Sequence, residues 1–202
     1  MDFTTDAIRL SLRNAETGKP LEANVYNVQF DDGTSRVMSI GQLVMAICLA
    51  RATEMESKVV DIMGGMANTT ANIEALSDVE ARIIDDEQTQ MEKSKEESGT
   101  IGKYRFNPSS ITGSWTVITA EGETRLCTTA EEVLVALDVG LANTVDTMID
   151  NIEAKLDTMN TTSQEQMITL QSQTNKRDQS YEMISNVLKS MYTVMSGIVN
   201  NV

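Results

Sequence analysis

Apolar side chains recur at spacings of three and four residues over the last part of this chain, and this spacing constrains its fold most strongly. The repeat runs through Met167, Leu170, Thr174, Arg177, Tyr181, Ile184, Leu188, Met191, Met195, Ile198 and Val202. Such spacing places successive side chains on one face of a helix, as in a coiled-coil seam. Because the repeat continues to the last residue, we predict a helix that packs against other copies or partners.

The residues expected to carry this self-assembly are Leu170, Tyr181, Ile184, Leu188, Met191, Met195 and Ile198. Composition agrees with helix packing, since only 4% of the residues are aromatic while 13 are methionine. Unbranched, polarizable side chains suit the irregular gaps between long helices. The sequence therefore favours a protein that assembles over one that catalyses.

The net charge of the chain limits the kinds of partner that it can bind. The formal net charge is −14, with an isoelectric point near 4.3, so the chain repels nucleic acid and anionic membrane surfaces. From Thr158 onward, however, the acids Glu165, Asp178 and Glu182 are balanced by three bases. A C-terminal helix of this kind can lie among copies of itself with little like-charge repulsion.

A first long helix is predicted for residues 39–98, with Ser39 as its N-cap. The same spacing gives it a seam that includes Met55, Val59, Ile62, Met66, Ile73, Leu76 and Ile83. Gly64 and Gly65 interrupt it, and each glycine costs about 1 kcal/mol relative to alanine. The pair is either a hinge that lets the helix fold back or a notch for close packing of the second helix. The acidic residues after Ile84 predict fraying over 85–98.

Residues 99–127 are predicted to form a β-rich insert between the helices. A β-prone stretch at 114–118 precedes a turn at Glu121-Gly122. Trp115, the sole tryptophan, is expected to form a small separate core with Tyr104 and Phe106.

The N-terminal segment 1–38 is polar, and we expect partial disorder over its first 20 residues. Two β-prone stretches, 24–30 and 36–38, flank Asp31-Asp32-Gly33 and predict a short β-hairpin. The acids of that turn lack the later ligands of a calcium loop.

Residues 128–202 are predicted to form the second long helix. Thr128 with Glu131 and Thr129 with Glu132 have the spacing of capping boxes at its start. Its seam would begin with Leu134, Leu137, Leu141, Val145, Met148, Ile152, Leu156 and Met159. The polar run 160–163 predicts a bend near residue 161. The fold class is thus mainly α with a small β insert: two long helices form an antiparallel coiled-coil hairpin, with a β-rich subdomain between them and a short N-terminal hairpin.

Catalysis has little support in the sequence. The chain contains no histidine, the commonest general base and metal ligand. Asp85, Asp86 and Glu87 are consecutive and point about 100° apart on a helix, so they cannot converge on one cation. Cys48 and Cys127 belong to no ligand pattern and are expected to be buried and inert. We expect no enzyme activity, no catalytic or metal site and no cofactor.

The chain ends and apolar runs bear on localisation. The first 20 residues contain early acids and no apolar stretch typical of a cleaved signal peptide. The most apolar run, 40–50, covers about 11 residues, against roughly 20 needed to cross a bilayer. We expect no integral membrane span.

Two segments carry a resemblance to a known family. The block Ile40–Ala50, followed by Met55, Val59 and a helix rich in small residues, resembles the first helix of type III secretion filament proteins of the EspA/SseB kind. Residues 163–198, rich in Gln, Ser, Thr and Asn around a heptad, are similar to their C-terminal assembly helix. The resemblance covers about 100 of the 202 residues and rests on order, spacing and composition.

This resemblance implies a secreted structural protein that polymerises into a filament or needle extension and serves as a conduit for effectors. Its implied partners are other copies of itself, the secretion needle, translocator proteins and a cytoplasmic secretion chaperone. It also implies a bacterial cell-surface or extracellular location, reached without a cleaved signal peptide.

Two alternatives stay open. The structured insert also fits a needle-tip protein of the LcrV/IpaD kind, which places a mixed insert between two long helices. A helical-hairpin binding module would instead present the Trp115 insert to a partner and remain a monomer or small oligomer.

Overall fold

The chain is mainly α-helical and divides into two compact units. Unit 1 comprises Met1–Ile62 and Thr169–Val202, and unit 2 comprises Met63–Ile168. The helices α1 (Ile40–Ser98) and α3 (Val145–Val199) each contribute to both units. The predicted class, mainly α with a small β insert, is confirmed.

The computed structural model describes residues 9–10, 25–29, 33–98 and 106–199. The predictions for Tyr104, for Val202 and for most of the first 20 residues lie outside the described residues. Met195 and Ile198 lie within α3, but their side chains are likewise outside the description.

Unit 1 contains a three-stranded antiparallel sheet of β1 (Arg9–Leu10), β2 (Val25–Gln29) and β3 (Ser35–Ser39), in that order. The predicted hairpin is confirmed, because Val25 pairs with Ser39 and Gln29 with Ser35. Gly33, in its turn, has φ = 80°, a conformation that glycine adopts without steric cost. Strand β1 was not expected. It lies on the other side of β2, whose free edge supplies hydrogen-bond partners that local sequence does not reveal.

Helix α1 begins within one residue of its predicted start. Ser39 accepts a hydrogen bond from the Gln42 amide and donates its own amide to the Gln42 side chain, at 3.3 and 2.9 Å. This is a capping box. The predicted fraying over 85–98 is wrong, since helix continues through Ser98. Most residues of that stretch are Glu, Gln, Lys and Met, which are strong helix formers despite their polarity.

The predicted insert forms a β-hairpin in unit 2. Strands β4 (Thr112–Ile118) and β5 (Thr124–Thr129) are antiparallel, and Gly122 has φ = 82° in the turn between them. A separate core for this insert was wrongly predicted. Trp115 is buried in one cluster with α1 and α3 side chains such as Leu76 and Met148, because two strands alone offer too little apolar area for an independent core.

A single second helix over 128–202 was also wrongly predicted. Thr129 caps a short helix α2 (Ala130–Ala136), with the expected capping box to Glu132. Asp138 then adopts φ = 55°, and the Val139 amide donates to the Leu134 carbonyl at 2.8 Å. These are the bonds of a Schellman motif, with buried Leu134 and Val139 as its apolar pair. The chain therefore leaves the helix, and Leu141 is exposed rather than in a seam.

Helix α3 is continuous across the predicted bend at residue 161. The hydroxyls of Thr158, Thr161 and Thr162 donate to carbonyls four residues back, at 2.9, 2.9 and 3.0 Å. These side chains therefore bond within the helix instead of competing with it. The side-chain register set at the start of α3 consequently carries through to its end.

Candidate assembly surface

The inner face of α3 differs from the predicted seam. Val145, Met148 and Ile152 are buried in the unit 2 core, and partly buried Met159 packs against them. Seven-residue steps from Met159 along an unbroken helix lead to Gln166, Gln173, Ser180 and Val187, which are all partly buried. The inner face is thus rotated by about 50° from the predicted one, given 3.6 residues per turn.

This rotation divides the predicted assembly residues into two groups. Leu170, Ile184 and Met191 lie on the inner face and are partly buried. Tyr181 and Leu188 lie beside it, with 39% and 50% of their surface exposed. The exposed group forms a stripe that Tyr192, 71% exposed, continues one turn further.

Every predicted seam residue of α1 is buried or partly buried. Leu76 and Ile83 are fully buried. The other members, Met55, Val59, Ile62, Met66 and Ile73, are partly buried.

Within each unit the contacts between α1 and α3 run in opposite directions. In unit 1, the Cys48 thiol contacts Met183 at 3.2 Å and the Tyr181 hydroxyl donates to Glu56 at 2.6 Å. A Cβ on Gly41 would lie 2.8 Å from the Met191 sulfur. In unit 2, the Thr69 hydroxyl is 3.5 Å from Gln166, and Glu80, later in α1, interacts electrostatically with Glu153, earlier in α3.

The glycine pair lies in unbroken helix. A Cβ added to Gly65 would meet the Gln166 amide nitrogen at 3.0 Å, whereas one added to Gly64 would meet nothing within 4 Å. Gly65 therefore forms the close-packing notch that was one of its two predicted roles. The boundary between the units in α1 falls at Ile62 and Met63, beside the pair. The hinge stays a prediction.

The two units bury very different amounts of apolar side chain. Unit 2 contains a continuous core of 16 buried residues, from Ala75 to Ile152. Among the described residues of unit 1 only Val28, Leu43, Cys48, Ala50 and Ala52 are buried. In particular, no described side chain of α3 from Thr169 onward is buried. The apolar residues of this part of α3 have too few neighbours within one chain to form a core.

Eight large apolar side chains are exposed in each unit among the described residues. Those of unit 1 are Val37, Ile40, Leu49, Val60, Tyr181, Met183, Leu188 and Tyr192. Single exposed apolar residues are common on proteins, but Tyr181, Leu188 and Tyr192 follow one another along one face of α3, and such a stripe is suited to contact with another protein.

Charge is also divided unequally between the units. Unit 2 contains 19 acidic and 7 basic residues, whereas unit 1 contains 11 acidic and 9 basic residues. Their net charges are therefore −12 and −2. The unit with the weaker core and the apolar helix surface is also the one that incurs the least like-charge repulsion on self-association.

The insert presents a second, smaller apolar surface. Trp115 itself is 5% exposed, so it cannot be the contact residue for a partner. Leu126 on β5 and Val135 on α2 are 66% and 56% exposed and line one open groove of about 720 Å³. Sequence reasoning did not find this pair, because Val135 belongs to a short helix that ends one residue later.

Trp115 is held against α1 by a polar cluster. Its indole nitrogen donates to Asp78 at 2.6 Å, Arg82 donates to the same oxygen at 2.7 Å, and the Arg82 guanidinium lies 5.2 Å from the indole centroid. Burial opposes ionisation of Asp78, but the hydrogen bonds from Trp115 and Arg82 and the Arg82 charge outweigh it. The pKa of Asp78 is therefore lowered from its ordinary value of 3.8.

This lowered pKa predicts acid sensitivity around the tryptophan. An acid whose pKa is lower in the folded state stabilises the fold above its unfolded pKa, and that contribution is lost as pH falls through the folded pKa. We expect the wild-type urea midpoint, followed by Trp115 fluorescence, to fall more between pH about 6 and about 3.5 than that of Asp78→Asn. The amide can still accept the indole hydrogen bond, so the variant isolates the charge. Equal acid sensitivity in the two proteins would contradict this role of Asp78.

Among the described residues, no group of three or more His, Cys, Asp or Glu side chains could hold a metal ion. Cys48 and Cys127 are buried, as predicted, and form no disulfide, and burial raises the pKa of the Cys127 thiol. In the ranges described, no helix has an apolar stretch sufficient to cross a bilayer.

No protein-family model, curated protein or solved structure matches the chain.

Proposed function

We propose that this protein is a structural subunit that self-assembles through unit 1, and that its assembly is a filament or needle extension of a type III secretion system. The observation that carries the self-assembly is the absence of any buried side chain among the described residues of α3 from Thr169 onward. A helix with Leu170, Ile184, Leu188 and Met191 on adjoining faces lacks enough apolar partners within its own chain. Further copies would supply them.

The proposal includes a coiled coil between α1 and α3 in which helices of neighbouring copies take part. The seam of α1 is apolar through Met55, Val59 and Ile62, and the inner face of α3 in unit 1 is polar at Gln173, Arg177 and Ser180. An apolar seam gains little from such a partner. Exchange or addition of helices from neighbouring copies would match apolar faces better and bury the exposed stripe of Tyr181, Leu188 and Tyr192.

The secretion assignment rests on the resemblance of residues 40–59 and 163–198 to the filament family. The same proposal includes export without a cleaved signal peptide and contacts with needle, translocator and chaperone proteins. A chaperone suits a subunit with this apolar surface, because exposed apolar stripes on different copies would associate with one another before export.

The test is negative-stain electron microscopy combined with sedimentation velocity over a series of protein concentrations. We expect the purified chain to form regular polymers whose mass rises with concentration, and filaments with a central channel would support the secretion role. Small closed rings would favour the needle-tip alternative. A stable monomer of 22.2 kDa at all concentrations would contradict self-assembly and favour a binding module that uses Leu126 and Val135.

A further inference from the structure

A groove between α1 and α3 in unit 1 carries two basic side chains. It has a volume of about 300 Å³ and is lined by Arg51, Glu54, Met55, Lys176, Gln179, Ser180 and Met183. Glu54 is paired with Lys58 at 2.6 Å. Arg51 and Lys176 are exposed and form no ion pair among the described residues. In a chain with a net charge of −14, two unpaired bases in one groove form a site for an acidic partner.

The same groove has an apolar part. Met183 is 49% exposed, and Met55 is partly buried on the facing helix. Methionine side chains adapt to the shape of a partner. A suitable occupant is therefore a helix that combines a row of acids with a neighbouring row of apolar residues.

The C-terminal part of α1, in unit 2, has both rows. Asp85, Glu92 and Glu96 are exposed and lie on one helix face, because steps of seven and four residues return close to the same angle. Ile84 and Met91 are seven residues apart, lie about 110° away from that row, and are 37% and 39% exposed. The segment's charge and apolar pattern complement the groove.

We propose that the groove of Arg51, Lys176, Met55 and Met183 in one copy binds the 84–96 segment of α1 in a second copy. This inference rests on the proposed self-assembly and assigns its direction. The contact joins two different surfaces, so it is head-to-tail and leaves a free groove at one end and a free acidic row at the other. A head-to-tail contact repeats into an open polymer unless its rotation closes a ring.

The test uses charge reversal on each side of the contact. One variant carries Arg51→Glu and Lys176→Glu, and the other carries Asp85→Lys, Glu92→Lys and Glu96→Lys. Each should raise the protein concentration required for assembly, measured by sedimentation velocity, at least about tenfold. A chain that carries all five changes restores opposite charges and should assemble again. Added salt should weaken the wild-type contact, since the charges are exposed.

The matched control is Arg36→Glu with Lys189→Glu. Both residues are exposed bases of unit 1 outside the groove, so this variant has the same net charge as the groove variant and should assemble like the wild type. Far-UV circular dichroism confirms that each variant retains its helices. If the groove variant assembles normally while the wild type forms polymers, the groove contact is wrong and self-assembly stands. If the variant with all five substitutions failed to assemble, the groove contact would also be overturned. A monomeric wild type would overturn both proposals.

Discussion

Leu76→Ala is expected to lower the free energy of unfolding of unit 2 by about 3–4 kcal/mol, because truncation of a fully buried leucine removes apolar burial and leaves a cavity. Leu76 is 0% exposed and lies in the cluster that joins α1, the β-hairpin, α2 and α3. Small domains are stable by about 5–15 kcal/mol. One substitution should therefore remove a large fraction of the stability of this unit.

The measurement is urea unfolding at low protein concentration, followed by the fluorescence of Trp115, the only tryptophan in the chain. With a denaturant slope of about 1–3 kcal/mol per molar urea, the midpoint should fall by at least about 1 M. Leu141→Ala is the matched control, since Leu141 belongs to the same unit and is 49% exposed. We expect that variant to change stability by less than about 1 kcal/mol. Equal effects of the two substitutions would show that Leu76 does not belong to a well-packed core.

The success of the α1 prediction has a simple physical basis. A capping box at Ser39 fixes the start, and the seam then repeats without a break for many turns. Local chemistry and periodicity agree from Ser39 to Ile83, so no tertiary information is needed over that part of the helix. Even the glycine pair leaves the helix intact, because the cost of two glycines is small beside the packing of so many turns.

The register of α3 could not be derived in the same way. Apolar residues alone favour the row Met167, Tyr181 and Leu188 over the row Gln166, Gln173 and Ser180. In the structure the polar row lies on the inner face, because the helix is continuous and its register is fixed upstream by buried Met148 and Ile152. A sequence pattern shows which face is apolar, but tertiary packing decides which face is turned inward.

The break between α2 and α3 shows a different limit. Asp138 in a left-handed conformation ends α2, although aspartate is far less common there than glycine. The leucine spacing continues across the break from Leu134 through Leu137 to Leu141 and suggests an uninterrupted helix. Periodicity over two or three turns is thus weaker evidence than periodicity over ten.

The residues predicted to carry self-assembly differ in their exposure. Tyr181 and Leu188 are exposed residues of α3, whereas Leu170, Ile184 and Met191 are partly buried against their own chain. Tyr181 also donates a hydrogen bond to Glu56 of its own chain. No sequence pattern separates these groups, because both belong to one three-four repeat. The distinction matters for experiments, since a residue with contacts in its own chain reports on stability as well as on assembly.

Leu188→Asp combined with Tyr192→Asp is expected to abolish polymer formation without unfolding the chain. The two side chains are 50% and 71% exposed and lie four residues apart on one face of α3. Burial of two carboxylates in an apolar interface costs several kcal/mol, which corresponds to a loss of affinity of at least about a hundredfold. Met191 is a poorer target, because its sulfur packs against Gly41 within the same chain.

Sedimentation velocity and negative-stain electron microscopy would measure the assembly, and far-UV circular dichroism the retained helix. Leu126→Asp with Val135→Asp is the matched control, because these residues are equally exposed but belong to the insert in unit 2. We expect the control variant to polymerise like the wild type. If the insert variant lost assembly while the α3 variant retained it, the contact would lie at the β5 and α2 groove. Unit 1 would then not carry the contact, and self-assembly through unit 1 would be overturned.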